Sequence, residues 1–297
     1  MSTPITSKIL GVIGGSGVYD IDGLTNKKWK KILSPFGEPS DELLFGDLNG
    51  VSMVFLPRHG RGHTIPPSDI NFRANIDALK RSGVTDLVSV SAVGSLKESL
   101  PPGTFVVIDQ FIDRTFAREK SFFGSGVVAH VSMAHPVCSR LGKHLLSAGK
   151  DQGISIVDGG TYLVMEGPQF SSLAESNLYR TWNCDVIGMT NMPEAKLARE
   201  AEICYASVAM VTDFDCWHPL HEAVTVDSIV KVLVANAQNA RSLVKTVAPK
   251  LHSDNEAHRC SCRSALQFAI ITSPESREPA LVKKLDAIAG RILNPHT

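Results

Sequence analysis

The sequence has no surplus of either charge. Across 297 residues, 30 Lys and Arg are set against 30 Asp and Glu, for a formal net charge of zero. A dedicated nucleic-acid binder carries a clustered basic excess, and none is present here. Aromatic residues are sparse at 6%. No apolar run approaches the roughly 18–20 residues that a membrane-spanning helix needs. The first eleven residues lack a basic segment followed by an apolar stretch and a cleavage site, so no secretion signal is expected. Internal repeats and low-complexity blocks are also lacking. Six cysteines, Cys138, Cys204 and Cys262 among them, are scattered through the chain, and reduced buried thiols are expected rather than a disulfide framework. These absences predict a soluble protein of the cytoplasm, with the nucleus as the alternative compartment.

What is present is an alternation of strands and helices. Short, near-continuous apolar runs at 9–13, 53–56, 87–90, 105–108, 161–165, 186–189 and 207–211 read as strands covered on both faces. Ser68 is placed to cap a helix that stops at Gly83, and Pro193 fits the first turn of a helix over 194–205. A long helix is expected over 225–247, ended by Pro249, and a last one over 279–293. The pattern predicts one α/β domain spanning 1–297, with a core at about 9–247 and a helical extension at about 265–293. Its central sheet is expected to be mostly parallel or mixed, in a partly closed barrel flanked by helices. The polar stretch 252–264 reads as a surface loop.

The chemistry-bearing residues fall where strands end. Gly14-Gly15-Ser16-Gly17 follows the first strand and serves either as a tight turn or as an anion cradle; it lacks the third glycine of a dinucleotide fingerprint. Arg58, His59, Arg61 and His63 follow the second strand, where an arginine fork suits phosphate but a solvated basic loop is equally open. Ser91 and Ala92 end the third strand, and Thr190 precedes the helix that contains Pro193. Jointly, these positions are where open α/β sheets bind anions. Phe170 is placed to stack on a flat ring, and Asp213 and Asp215 put two carboxylates on one side of the chain, unless they simply cap a turn. Cys260 and Cys262 are one residue apart, and no second pair completes a zinc site near His252 and His258, so no metal is expected. No nucleophile elbow marks a covalent catalyst.

Four longer stretches, RHGRGHTIPP, IDQFIDRT, MEGPQF and VTDFDCW, with the shorter segments 11–17, 91–96 and 187–194, resemble the 5′-methylthioadenosine phosphorylases, within the trimeric purine nucleoside phosphorylase family. The resemblance implies reversible phosphorolysis of a 5′-thioadenosine to adenine and a sugar 1-phosphate, in purine and methionine salvage. Inorganic phosphate would be the co-substrate, and no cofactor would be used. It assigns phosphate to Ser16, Arg58, His59, Ser91, Ala92 and Thr190. Met189 would meet the ribose; Phe170 and Ser171 would line the base pocket; Asp213 and Asp215 would address N7 and the 6-amino group as the catalytic pair. His63, Val226 and Ile229 would flank the methylthio group, and His130 would be contributed by a neighbouring subunit of a homotrimer. Ser16 and Ser91 stand where the animal enzymes usually have Thr, and Val93 where they have Cys. Rival readings are a phosphorylase of adenosine or 6-oxopurine nucleosides, a hydrolytic nucleosidase, a nucleotide-binding module without catalysis and a structural protein.

Overall fold

The computed structural model describes residues 8–15, 17–219 and 226–294, with the backbone alone at 226–231 and 258. In chain order the elements are β1 (Ile9–Gly14), β2 (Thr25–Lys30), β3 (Leu43–Leu48), β4 (Val51–Pro57), α1 (Phe72–Arg81), β5 (Val84–Ser95), β6 (Phe105–Val107), β7 (Gln110–Asp113), α2 (Ser139–Asp151), β8 (Ile156–Asp158), β9 (Thr161–Val164), α3 (Leu173–Thr181), β10 (Val186–Gly188), α4 (Asn191–Glu200), β11 (Cys204–Asp213), α5 (Val226–Ser253), α6 (Pro279–Lys284) and α7 (Asp286–Leu293). None of the described helices is long and apolar enough to cross a membrane.

The strands form one mixed sheet in the order β2-β3-β4-β1-β5-β10-β9-β7, and β11 branches from β5 to reach β6 and β8. The sheet is open and forked, not a partly closed barrel. The fork lies on β5. Its first half pairs in parallel with β1 as far as Ile13 opposite Ser89. β11 follows its other edge, and Gly94 and Ser95 then pair antiparallel with β10. One strand thus outlasts its neighbour, and a crevice opens beyond Ser89.

The near-continuous apolar strands are explained by cover on both faces. Ile13, Leu87 and Ala209 pack with α1, α4 and α7, while their neighbours Val12, Val88 and Met210 pack with α2 and α5. Each fully buried Ile, Leu or Val among them contributes about 1.5–3 kcal/mol. β2 (TNKKWK) carries one apolar residue and is exposed at the sheet edge, where its lysines discourage pairing with another chain.

Several local expectations change. The cap of α1 is Asn71, whose side chain accepts from Ala74 N at 3.0 Å; Ser68 lies in the preceding short turn and donates to Glu166. α4 ends at Glu200, and Tyr205 belongs to β11. α5 runs through Pro249 to Ser253, because Val247, Ala248 and Leu251 are buried and their packing outweighs the lost hydrogen bond. The last helix is two, broken at Leu285. The 252–264 stretch finishes α5 and makes two short helical turns, with Cys262 buried, so it is not a free surface loop.

Candidate active site

A cavity of about 670 Å³ opens at the fork. Around it stand Arg58, His59 and His63 after β4, Ser91 and Ala92 on β5, Met189 and Thr190 after β10, Asp213 and Asp215 at the end of β11, and Phe170 from the loop after β9. Met165, Met210 and Leu233 add apolar wall. Ten of the sequence-predicted residues therefore meet in one place.

The remaining five do not line it in the described structure. Ser16 lies outside the described residues, as do the side chains of Val226 and Ile229, although Leu233 and Ala237 further along α5 reach the cavity. Ser171 is buried beside the cavity, its carbonyl accepting from Cys216 Sγ at 3.4 Å. His130 is exposed elsewhere on the chain, its N–H given to Ala269 O at 2.9 Å.

Arg58 departs from the expected open fork. It is 1% exposed, and its Nε and Nη2 meet Glu194 Oε2 at 2.8 Å and Oε1 at 3.1 Å. Nη2 also donates to Ser89 Oγ at 2.7 Å, and Nη1 to Val90 O at 3.0 Å. One Nη1 hydrogen is left over from this set. Burial alone would lower the guanidinium pKa, but Glu194 holds it above its ordinary value. The network extends through Tyr205 Oη, which donates to Glu194 Oε1 at 2.9 Å, to Asn191, which joins Ser89, Ser91 and Ser207. Tyr162, wholly buried, keeps a hydroxyl without a hydrogen-bond partner near Ser91 and Thr190.

His59 is held neutral. Burial pushes its pKa down to about 4, against the hydrogen bond to Ile65 O. That bond, 2.8 Å from Nδ1, requires the hydrogen on Nδ1 and leaves Nε2 an acceptor. Its ring stacks on His63, with centroids 4.2 Å apart.

The carboxylates behave differently. Burial raises Asp213 to about 6, opposed by Thr212 Oγ1 at 2.6 Å and Asp215 N at 2.8 Å. Burial also raises Asp215, opposed by the Ser176 and Ser171 hydroxyls. The Thr212 hydroxyl has one hydrogen and two neighbours, Asp213 Oδ2 and, at 3.1 Å, Val93 O. When Asp213 is ionised the hydrogen goes to Oδ2. When Asp213 is protonated, Oδ2–H donates to Thr212 and the threonine hydrogen turns to Val93 O. Both states keep the Asp213 carboxyl and the Thr212 hydroxyl bonded to each other, so this carboxyl can hold or release a proton without losing that partner. A register shift between Val211 and Asp213 sets the pair at this angle. Gly94 permits the approach, since a Cβ there would lie 2.9 Å from Asp213 Oδ1.

Glu194, Tyr162 and Thr212 were not legible as site residues. An acid in a first helical turn reads as a complement to the helix dipole, so nothing in the sequence ties Glu194 to Arg58.

The model of the Phosphorylase superfamily matches residues 9–249, and the chain belongs to that superfamily. Within it, the chain is 63% identical over 293 residues to the S-methyl-5′-thioadenosine phosphorylase of Rhodospirillum rubrum, an alignment covering 99% of this chain and 100% of the relative. The enzyme of that name from Geobacter sulfurreducens is 51% identical, with 95% and 98% covered. A crystal structure of methylthioadenosine phosphorylase from an antarctic soil metagenomic library superposes with a TM-score of 0.90 at 47% identity, covering 95% of this chain and 99% of that one. Methylthioadenosine phosphorylase from Schistosoma mansoni in complex with adenine gives 0.83 at 36% identity, covering 92% and 99%.

Proposed function

We propose that this chain catalyses reversible phosphorolysis of S-methyl-5′-thioadenosine to adenine and 5-methylthioribose 1-phosphate. The observation that carries the reading is the union, in one cavity, of a hydroxyl- and cation-lined end with a pair of carboxyls, Asp215 buried and Asp213 half-buried. Full-length likeness to enzymes of that name supports it.

Phosphate binds among Ser91, Ala92, Thr190, His59 and the Arg58 edge, with Ser16 from the glycine turn. Neutral His59 accepts through Nε2, so it suits a phosphate that still carries one proton. Arg58 supplies fixed positive charge and one donor rather than an open fork. Met189 meets the ribose, with His63, Val226 and Ile229 toward the methylthio group, and Phe170 covers the base. As the glycosidic bond lengthens, positive charge grows on the sugar and is met by phosphate, which attacks the anomeric carbon. Negative charge grows on the leaving base and is met by a proton or hydrogen bond from Asp213 at N7. Asp215, supported by Ser171, addresses the 6-amino group. No metal or organic cofactor takes part in this chemistry. The working form is a homotrimer in which His130 completes a neighbour's pocket.

The test is adenine release from S-methyl-5′-thioadenosine with and without inorganic phosphate, with adenosine and inosine run alongside. Phosphate-dependent release from the thioether substrate is expected, with inosine inert. Release without phosphate would make the chain a hydrolase, and cleavage of inosine alone would place it among 6-oxopurine enzymes.

A further inference from the structure

Away from the cavity at the fork, the chain gathers four cysteines that are far apart in sequence. Cys138 precedes α2, Cys204 opens β11, and Cys260 and Cys262 lie in the short turns after α5. Their four Sγ atoms all lie within 4.8 Å of one another, and Cys138 and Cys260 are 3.5 Å apart. Four thiolates around one tetrahedral ion, at metal–sulfur distances of about 2.3 Å, define a box with edges of about 3.8 Å. The pair that Cys260 and Cys262 lack in the sequence is thus supplied by Cys138 and Cys204.

The surroundings suit an anionic centre. Arg199 Nη1 donates to Cys262 Sγ at 3.5 Å. Arg140 faces Cys204, and its buried Nε has no hydrogen-bond partner, although its other nitrogens meet Asp86 and Asp254. Four thiolates on a divalent ion leave two negative charges for these guanidinium groups, whereas disulfides would leave none. A second cavity, of about 750 Å³, is lined by Cys138, Cys260, Cys262 and His135 and offers an entry path.

We infer that Cys138, Cys204, Cys260 and Cys262 form a structural site for a single zinc ion. All four positions are taken by sulfur, so the site is closed and does no chemistry on substrate. It ties the segment after α5 to α2 and β11. That segment continues to Ala269 and Ile270, which accept from His130 N and bridge to Ala129, so the same tie positions the His130 stretch.

The test is elemental analysis of the full-length protein purified without added thiol reductant, chelator or a metal-charged column. About one zinc per chain is expected, released when a mercurial thiol reagent is titrated in the presence of a zinc-binding dye. Cobalt(II)-loaded protein should show thiolate-to-metal charge transfer and the strong visible bands of a tetrahedral centre. Cys262→Ser should lower bound zinc at least tenfold, whereas Cys184→Ser should leave it unchanged. If the serine variant fails to fold, the mercurial titration of the unaltered protein still decides. Iron in place of zinc, metal-free protein in which all six thiols react, or four thiols that appear only after reduction would each overturn the assignment.

Discussion

At the Arg58 end of the cavity the charge is fixed before any ligand arrives, whereas at the Asp213 end it is adjustable. Arg58 and Glu194 interlock in a buried network whose members are already matched. Asp213 sits half-buried at the end of β11, where its partners accommodate two protonation states. Burial has opposite outcomes at the two ends because one charge met a counter-charge, whereas the other met hydroxyl and amide dipoles and the like charge of Asp215. The first arrangement fixes a guanidinium in place with one N–H to spare for an anion; the second builds a group able to give up a proton near neutral pH.

The sharpest way to break this contrast is Glu194→Gln. It leaves the Arg58 charge buried and without its counter-charge, and should cost about 3–5 kcal/mol in urea unfolding. The Arg58→Met/Glu194→Leu double variant should regain most of that stability and remain inactive. Equal losses in both variants would mean that the pair does not fix this end.

Asp213→Asn should do the reverse. Turnover of S-methyl-5′-thioadenosine should fall about 10²–10³-fold, and relative use of inosine should rise. Stability at pH 7 should hold or improve. With a folded pKa of about 6, above its ordinary 3.8, Asp213 contributes stability that is complete below about pH 4 and is lost as pH rises through about 6. The difference in unfolding free energy between the unaltered protein and the Asn variant should therefore change by about 2–3 kcal/mol across that window.

Thr212→Val removes a hydrogen bond to the ionised carboxyl and should move the Asp213 limb of the kcat/KM pH profile up by about one unit, equivalent to about 1.4 kcal/mol. An unmoved limb would detach Thr212 from the proton. The smallest effect is expected from Phe170→Ala. This ring is 53% exposed in the single chain, so its loss should raise KM a few-fold, about 0.5–1 kcal/mol, with kcat nearly unchanged.

The same contrast marks what the sequence made legible. β1, β5 and β11 were readable because burial on both faces demands continuous apolar residues, and the gathering of Arg58, Ser91, Thr190 and Asp213 around one cavity was readable because each lies near the carboxyl end of a strand. β2 was not, since an exposed edge strand imposes no apolar pattern. The Arg58–Glu194 pair and the cysteine quartet were not legible either, because their members come together only through tertiary pairing. Arg58 and Glu194 are 136 residues apart. The stop expected at Pro249 failed for a related reason: local chemistry proposed an ending and distant packing overruled it.

Because β5 serves three partner strands, the order in which the chain leaves the ribosome matters. Its edge for β1 is filled at once, but its edges for β10 and β11 wait until residues 186–213 have been made. Through that interval a long apolar strand has an unpaired rim, the kind of surface that draws chaperones or a second nascent chain. The cavity at the fork is assembled later still, when α5 supplies Leu233 and Ala237. A chain halted before α5 would hold nearly the whole sheet and no closed site.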